Sequence, residues 1–371
     1  MARGQLKVGI VSAGMIANNG HIPAYRNLGD RVAVEAVCDI DSVAARETAE
    51  RHGIRGWYGD VGKMLEAERP DLVSVCTPNA THRALVEQAL EAGCDVICEK
   101  PVALTYADAK ALYELAARKG RTLVACQTLR FNREYFAAKE YVESGMLGHI
   151  TYGEVTRVRR RGMPRWGAFH KKAASGGGAF ADIGVHFVDS ALWILGSPKV
   201  LAVSGMCSSD IVRNERDVVY SLKESGAYAG VARQRTFDPA DCDVEEFASG
   251  MIRLEGDLCL HFTIAWAANM PETNRMLILG DKMGIRLPEM ELYGTLGRNQ
   301  ADSAPRLFEL GVYDGRPFAG HCYLVENVVG HILDGIPLVV RPEETLNVAA
   351  AIDLFYRSCE EGREIPFGSL R

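Results

Sequence analysis

The sequence predicts an α/β protein with a doubly wound parallel sheet in its N-terminal half, followed by an α+β half with a large, mostly antiparallel sheet. Through residue 127, short apolar runs alternate with helical stretches, which is typical of βαβ units. After about residue 128, strand-like runs joined by turns such as Glu255-Gly256-Asp257 dominate. At 371 residues the chain is long enough for two domains, which we place at 1–128 and 129–371.

The composition is that of an ordinary globular protein, with 47% hydrophobic and 24% charged residues. The formal net charge of -6, without a dominant basic tract, argues against a nucleic-acid partner. The polar N-terminus and the lack of a long apolar run predict no signal peptide, no membrane association and a cytoplasmic location. No CxxC motif occurs, and Cys94 and Cys98 have no partner ligands nearby, so no metal site is expected.

The first strand, 6–11, leads directly into a turn that has the place of a dinucleotide fingerprint, G-x-G-x-x-G/A. Gly14 would let the backbone approach a pyrophosphate, and Ala17 would let the following helix pack closely on the sheet. Ser12 stands where the first glycine of the fingerprint is expected. The helix N-terminus would add free N–H groups for a phosphate.

The second strand, 32–38, ends in Asp39. An acidic residue here can accept hydrogen bonds from the adenosine ribose and would repel a 2′-phosphate, so we expect NAD rather than NADP. Asp39 could instead simply begin the next turn. A helix over 42–52 follows, capped by Asp41 or Ser42 and closed by Gly53.

Polar residues follow the next strands at their carboxyl ends, where open α/β sheets bind ligands. Strand 72–76 leads to Thr77, Pro78, Asn79 and His82, and strand 94–98 stops at Glu99-Lys100-Pro101. A solvated Glu-Lys pair is the simpler interpretation of that last motif alone. Helices over 82–92 and 107–119 and a strand over 123–127 complete this half.

The second half opens with a helix over 130–143 and a strand over 148–161, which carries Arg157 and a basic run. That run is either a solvated strand face or a site for an anionic ligand or interface. A glycine-rich stretch, 175–178, is predicted to be a flexible lead-in to a helix over 181–193. Asp182 and His186 are four residues apart and share one face of that helix, although a capped helix with a satisfied histidine would look the same. The remaining predicted elements are strands at 200–207, 216–222, 227–235, 246–254, 258–266, 275–279 and 284–287, and helices at 323–333 and 343–359.

Taken together, these motifs resemble the Gfo/Idh/MocA family of sugar and cyclitol oxidoreductases, in order and spacing, over nearly the whole chain. The matching residues are Gly14 to Ala17, His21 to Ala24, Asp39, Cys76 to Asn79 with His82, Glu99-Lys100-Pro101, Arg130-Phe131-Asn132, Asp182-x-Gly184-x-His186-x-x-Asp189, and the tail from Arg341 to Pro366. Ser12 departs from the family pattern, but a small residue still permits a tight turn.

The resemblance implies an N-terminal Rossmann domain that binds NAD and a catalytic set of Lys100, Asp182 and His186. The chemistry of these side chains agrees with it. An imidazole, with an unperturbed pKa of about 6.5, suits the base that takes the hydroxyl proton. Asp182 could share the proton or hold substrate hydroxyls, and Lys100 could stabilise the developing alkoxide. We therefore expect an NAD-dependent oxidoreductase acting on a ring hydroxyl of a sugar, glycoside or inositol.

Two sets of binding residues follow from this interpretation. The cofactor-binding set is Ser12, Gly14, Met15, Ile16, Asp39, Thr77, Pro78, Asn79, His82, Glu99, Lys100 and Gln127. The substrate-binding set is Lys100, Arg157, Arg165, Trp166, His170, Asp182, His186, His321 and Tyr323. Trp166 could stack on a sugar or merely pin its loop, and Trp266 is expected to pack against the sheet.

Two other functions remain open at this point. A family member that retains and recycles NAD could cleave a glycosidic bond by oxidation and elimination. A non-catalytic sensor could bind NAD and sugar without chemistry. For all three functions, the face of the second sheet that does not cover the active site must also be buried. We therefore expect a homodimer or homotetramer formed by packing of sheet faces.

Overall fold

The computed structural model describes residues 5–165, 167–214 and 237–370, which form two compact units. The first unit contains 5–128 and 312–342, and the second contains 129–165, 167–214, 237–311 and 343–370. The sequence predicts that 312–342 belongs to the C-terminal domain, 129–371. These residues instead join the first unit, where the helix Ala319–Asp334 packs against Ile22–Arg26.

The first unit is built on a six-stranded sheet in which every neighbouring pair is parallel. Its strands are β1 (Leu6–Val11), β2 (Val32–Cys38), β3 (Gly56–Tyr58), β4 (Leu72–Val75), β5 (Asp95–Cys98) and β6 (Leu123–Ala125). Their order, β3-β2-β1-β4-β5-β6, confirms the predicted doubly wound Rossmann sheet. The order reverses between β1 and β4, and the turn after β1 therefore lies where such sheets bind ligands.

The second unit contains a nine-stranded sheet in the order β14-β13-β12-β11-β7-β10-β9-β8-β15. The strands are β7 (Ile150–Val158), β8 (Val200–Ser208), β9 (Phe247–Leu254), β10 (Leu258–Ala265), β11 (Thr273–Gly280), β12 (Gly284–Leu287), β13 (Glu291–Leu296), β14 (Asn299–Ser303) and β15 (Ile365–Pro366). Within this second sheet, β7–β10 is the only parallel pair among its described strands, which confirms the predicted, mostly antiparallel sheet. The predicted strands 216–222 and 227–235 lie outside the described residues.

Helices cover both units. They are α1 (Ile22–Arg26), α2 (Ser42–His52), α3 (Val61–Glu68), α4 (His82–Glu91), α5 (Tyr106–Lys119), α6 (Arg133–Glu143), α7 (Lys172–Ser175), α8 (Val185–Ile194), α9 (Asp210–Asn214), α10 (Ala319–Asp334) and α11 (Pro342–Glu361). A π-helical turn precedes α1 at Ala17–His21, and another precedes α8 at Phe180–Gly184. In the part of the chain that the structure describes, no helix combines the length and apolar character needed to cross a bilayer.

Local signals set several helix ends. The Asp41 carboxylate accepts hydrogen bonds from the N–H groups of Val43 and Ala44, and Gly53 closes α2 with a φ of 57°. Gly53 was predicted to close this helix, and Asp41 was one of the two residues, with Ser42, predicted as its cap. The short elements β3 and α3 and the hairpin strands β13 and β14 were not predicted.

Candidate active site

The turn after β1 is held to the end of β2 by main-chain contacts. Ser12 has a φ of 102°, in the left-handed region that a side chain disfavours. Its N–H donates to the Cys38 carbonyl at 2.7 Å, and its Oγ accepts from the Gly14 N–H at 3.1 Å. The Ser12 hydroxyl therefore stabilises the turn, and the Gly14 main chain stays exposed.

Asp39 binds the same turn. Its Oδ2 accepts from the Ala13 N–H at 2.8 Å, and its Oδ1 accepts from the Asp41 N–H at 2.9 Å. Each carboxylate oxygen can accept a second hydrogen bond, so both remain able to bind a ribose hydroxyl. Asp39 thus orders the turn after β1, a role that sequence spacing does not indicate. Met15 and Ile16 follow, half-buried, at the start of the helical segment that leads into α1.

Residues of the loop after β4 are joined to the loop after β5 by His82. This ring is fully buried, with Nδ1 lying 2.7 Å from the Pro101 carbonyl and Nε2 lying 2.8 Å from the Thr77 carbonyl. Burial lowers the pKa of His82, whereas the two carbonyls act to raise it. Since both ring nitrogens face the main chain, His82 fixes the positions of Thr77 and of the segment after Lys100. Pro78 and Asn79 lie on this loop, where Asn79 begins a short 3₁₀ turn, Asn79–Thr81.

Glu99 lies among histidines of the first unit. Its Oε1 is 3.0 Å from His21 Nε2 and 3.3 Å from His321 Nε2, and its Oε2 accepts from the Lys100 N–H at 3.3 Å. Burial would raise the pKa of Glu99, but the two histidines hold that pKa well below its ordinary value. Glu99 is therefore a buried carboxylate directly beside Lys100, whose side chain is half-buried.

Gln127 follows β6 and is 2% exposed. Its amide oxygen is buried and has no hydrogen-bond partner among the described residues. A buried acceptor of this kind is normally satisfied, so its environment fits a ligand that donates a hydrogen bond.

Asp182 and His186 lie at the start of the helical segment that continues into α8. Asp182 is in the preceding π-helical turn and His186 is in the first turn of α8, and both are half-buried. The indole N–H of Trp266, which is fully buried, donates to Asp182 Oδ2 at 3.0 Å. Trp266 packs in the interior as expected, and it also fixes the orientation of the Asp182 carboxylate.

The glycine-rich stretch before Asp182 is tightly packed, so the predicted flexible lead-in was wrong for Gly177 and Gly178. A Cβ on Gly178 would lie 1.8 Å from the Glu245 carbonyl oxygen, and one on Gly177 would lie 2.0 Å from the Tyr356 hydroxyl. The buried Glu245 carboxylate accepts from the N–H groups of Gly178 at 2.8 Å and Phe180 at 2.9 Å, and from the Tyr356 hydroxyl at 2.9 Å. These contacts bind the free N–H groups at the start of the turn that carries Asp182.

A buried charge cluster contacts α8 at Asp189. The Arg130 guanidinium makes two hydrogen bonds to Asp189, at 2.8 and 2.6 Å, and a further one to Glu344. All three side chains are at most 3% exposed. Burial lowers the pKa of Arg130, but the two carboxylates raise it more, which keeps the guanidinium charged. Glu344 is in the first turn of α11, where the helix dipole favours a negative charge.

The predicted substrate-binding residues are mostly engaged within their own unit. Arg157 Nη1 lies 3.6 Å from Glu272 Oε1. The Arg165 guanidinium lies 4.7 Å from the centre of the Phe237 ring, and His170, which is 5% exposed, meets the same ring edge-on at 5.0 Å. Trp166 lies outside the described residues.

Tyr323 is on α10 and is held by the loop before that helix. Its hydroxyl donates to Asp314 Oδ1 at 2.8 Å and accepts from the Tyr313 N–H at 3.2 Å. Burial and the neighbouring Asp314 raise the pKa of Tyr323 to about 12.

Sequence motifs indicated the polar residues that follow the strands. They did not indicate the side chains that fix those residues in position. Asp39, His82 and Glu99 each contact another part of the first unit, and Asp182 is anchored within the second. The anchors His21, Glu245, Tyr356 and Trp266 were not assigned these roles. Only His21 had a signal, since it belongs to the motif after the glycine turn.

Two protein-family models match the chain. One is described as an oxidoreductase family with an NAD-binding Rossmann fold and matches residues 6–126. The other is described as a GFO/IDH/MocA C-terminal domain and matches residues 135–286. Together they span most of both units.

Curated relatives carry names of sugar dehydrogenases. The D-glucoside 3-dehydrogenase of Escherichia coli K12 is 30% identical over 98% of each chain. The D-apiose dehydrogenase of Paraburkholderia graminis is 29% identical over 68% of each chain.

Solved structures share the fold over nearly the full length. Levoglucosan dehydrogenase, in complex with NADH and levoglucosan, matches with a TM-score of 0.77 and 21% identity, covering 98% of this chain and 99% of that one. The aldose-aldose oxidoreductase of Caulobacter crescentus matches with a TM-score of 0.76 and 22% identity, covering 98% and 99%. At such identities the likeness concerns the fold alone.

Proposed function

Because the chain belongs to the Gfo/Idh/MocA family of oxidoreductases and has that family's NAD-binding domain, we propose that it is a dehydrogenase for a ring hydroxyl of a sugar, glycoside or inositol. The observation that carries the proposal is a fixed carboxylate and an imidazole at the start of α8. Trp266 holds Asp182, and His186 follows one turn later. A base and an orienting acid on one rigid element are what removal of a hydroxyl proton requires.

The first unit has the features that an NAD molecule needs. The exposed main chain at Gly14 would accept the pyrophosphate, and Asp39 has free lone pairs for the ribose. The buried acceptor of Gln127 fits a donor such as a carboxamide. When bound, NAD supplies the acceptor for the hydride that leaves the substrate carbon. Since a 2′-phosphate would lie against the Asp39 carboxylate, we expect NAD to be preferred over NADP.

In this proposal the protein side chains handle the proton and the charge. His186 takes the hydroxyl proton, and Asp182 orients the substrate or shares that proton. Lys100 donates a hydrogen bond to the reacting oxygen and stabilises its developing negative charge.

The residues proposed to contact the sugar are less exposed than their sequence positions suggest. Arg157 and Tyr323 have partners in their own units, and His321 binds Glu99. We propose that these three residues shape the site, and that Arg165, Trp166 and His170 contact the sugar, although His170 is 5% exposed and, like Arg165, packs on the Phe237 ring.

A substrate screen tests the proposal. Purified protein with NAD is offered glucose, inositols and aryl glucosides, and NADH absorbance is followed. We expect net NADH formation with one class, and a loss of at least about 100-fold in kcat for Lys100→Ala and for His186→Ala. Lys110→Ala, which removes an exposed lysine of α5, is the matched control and should leave kcat unchanged.

The alternatives give different outcomes. Release of the aglycone without net NADH would indicate a recycling, glycoside-cleaving enzyme. Binding of NAD and sugar without turnover, unchanged in Lys100→Ala, would indicate a sensor.

The proposal includes self-association through the second sheet, as a homodimer or homotetramer. Along β10, residues alternate between buried positions, such as Phe262, and half-buried ones, such as Thr263. The register places Thr263 beside Ser249 and Ser249 beside Met206, which is 58% exposed. Light scattering should give a multiple of the 40.6 kDa chain, and Met206→Glu should reduce it. A monomeric wild-type protein would exclude this part of the proposal.

A further inference from the structure

The first unit contains a buried group of four side chains with the donor atoms of a transition-metal site. They are His21, Glu99, Cys126 and His321, and one donor atom from each lies within 4.8 Å of the others. They come from four separate parts of the chain: the π-helical turn before α1, the loops after β5 and β6, and the first turn of α10. A search of the sequence for closely spaced ligands therefore could not find them.

The separations are close to those that a tetrahedral ion imposes. His21 Nε2 lies 3.0 Å from Glu99 Oε1, His321 Nε2 lies 3.3 Å from the same oxygen, and Cys126 Sγ lies 3.9 Å from His21 Nε2. Around a zinc ion, ligand atoms at about 2.0 to 2.3 Å from the metal are roughly 3.2 to 3.8 Å apart. Shifts of about 1 Å or less would complete the site, so no rearrangement of the fold is needed.

A second layer of hydrogen bonds supports one of the ligands. His21 Nδ1 lies 3.1 Å from Ser74 Oγ, which lies 2.7 Å from the Tyr25 hydroxyl. If Nε2 binds a metal, the ring proton is on Nδ1 and donates to Ser74. Metal-bound histidines typically donate their second N–H in this way, which fixes the ring orientation.

The donor set selects the ion. Two imidazoles, a thiol and a carboxylate favour Zn²⁺, whereas Mg²⁺ and Ca²⁺ prefer shells of oxygen atoms. On binding, the Cys126 thiol loses its proton to solvent as the sulfur–metal bond forms. The thiolate and the Glu99 carboxylate then balance the two charges of the ion, so the buried site is neutral.

We propose that His21, Glu99, Cys126 and His321 form a structural Zn²⁺ site that ties α10 to the sheet of the first unit. This site does not rest on the proposed dehydrogenase activity. Without the metal, the same side chains form a hydrogen-bonded group around Glu99. The metal-free and zinc-bound forms are therefore expected to have nearly the same structure.

Cobalt substitution tests the proposal on the full chain. The protein is cleared of metal, titrated with Co²⁺, and examined for visible bands and for thiolate-to-cobalt absorption in the near ultraviolet. We expect one Co²⁺ per chain, displaced by Zn²⁺, and zinc in the protein as isolated. Absence of stoichiometric binding by the wild-type chain would overturn the proposal.

Variants locate the ion. Cys126→Ala should lose the thiolate band and weaken Zn²⁺ binding by about tenfold or more. Cys38→Ala, which removes another buried thiol at the end of a strand of the same unit, should keep both the thiolate band and the Zn²⁺ affinity of the wild type. Cys207→Ala controls for the exposed cysteine of the second unit, and loss of the band there instead would place the metal elsewhere. If Cys126→Ala does not fold, X-ray absorption on the wild-type zinc form decides: one sulfur among lighter ligands is expected, and a shell without sulfur would exclude Cys126.

Discussion

Two glycine-containing segments precede the residues proposed to act in catalysis and cofactor binding, and they use glycine for opposite purposes. After β1, a Cβ on Gly14 would meet only the Ser12 hydroxyl, at 3.2 Å. Before Asp182, a Cβ on Gly178 would lie 1.8 Å from a main-chain oxygen. The first segment leaves room beside an exposed main chain for a ligand, whereas the second brings two stretches of backbone into direct contact. Glycine alone does not predict flexibility, because the surrounding atoms decide its role.

The largest expected effect is on stability, from Gly178→Ala. The new methyl group would overlap the Glu245 main chain, which cannot rotate away as a side chain can. We expect a loss of about 3 kcal/mol or more in the free energy of unfolding, measured by chemical denaturation. Gly14→Ala is the matched control and should unfold like the wild type while binding NAD more weakly. Equal stability of the two variants would contradict the comparison.

Glu245→Gln should give a smaller loss of stability. Its carboxylate accepts two main-chain N–H groups and the Tyr356 hydroxyl, and an amide would turn an N–H toward one of these donors. An unsatisfied buried donor costs about 1–3 kcal/mol, which thermal unfolding should detect. Tyr356→Phe leaves the carboxylate with its main-chain partners but removes the acceptor of the Ala181 N–H, which donates to the Tyr356 hydroxyl at 3.1 Å, so it should cost about as much. A larger loss in Tyr356→Phe would mean that packing around the ring matters more than the bond.

The smallest effect, and one of opposite sign, is expected for Ser12→Gly. The φ of 102° costs a side-chain residue about 1 kcal/mol, which glycine avoids, although the bond to Gly14 is lost. We expect a change in unfolding free energy between zero and about +1 kcal/mol. Ser12→Ala keeps the strain and loses the bond, so it should be less stable than both. A marked decrease in the unfolding free energy of Ser12→Gly would show that the Ser12 hydroxyl contributes more to the stability of the turn than relief of the backbone strain does.

Elements with strong local signals could be predicted from the sequence, and contacts between distant residues could not. The bounds of α2 follow from a capping aspartate and a closing glycine, which act within one turn. The strand ends at Asp39 and Glu99 follow from apolar runs that stop at polar residues. By contrast, the bond from Trp266 to Asp182 joins residues 84 positions apart, and no local pattern specifies it. Segments as short as β3 contain too few residues for a periodic pattern.

The cluster of Arg130, Asp189 and Glu344 also restricts how this protein can evolve. The cluster has one positive and two negative side chains, so loss of Arg130 leaves two buried carboxylates uncompensated, which typically costs about 3–5 kcal/mol. Loss of either carboxylate leaves one buried ion pair. Replacement of all three by apolar residues of similar volume can be neutral. Substitution of Arg130 alone is therefore strongly disfavoured, and we expect Arg130 to change only together with Asp189 and Glu344.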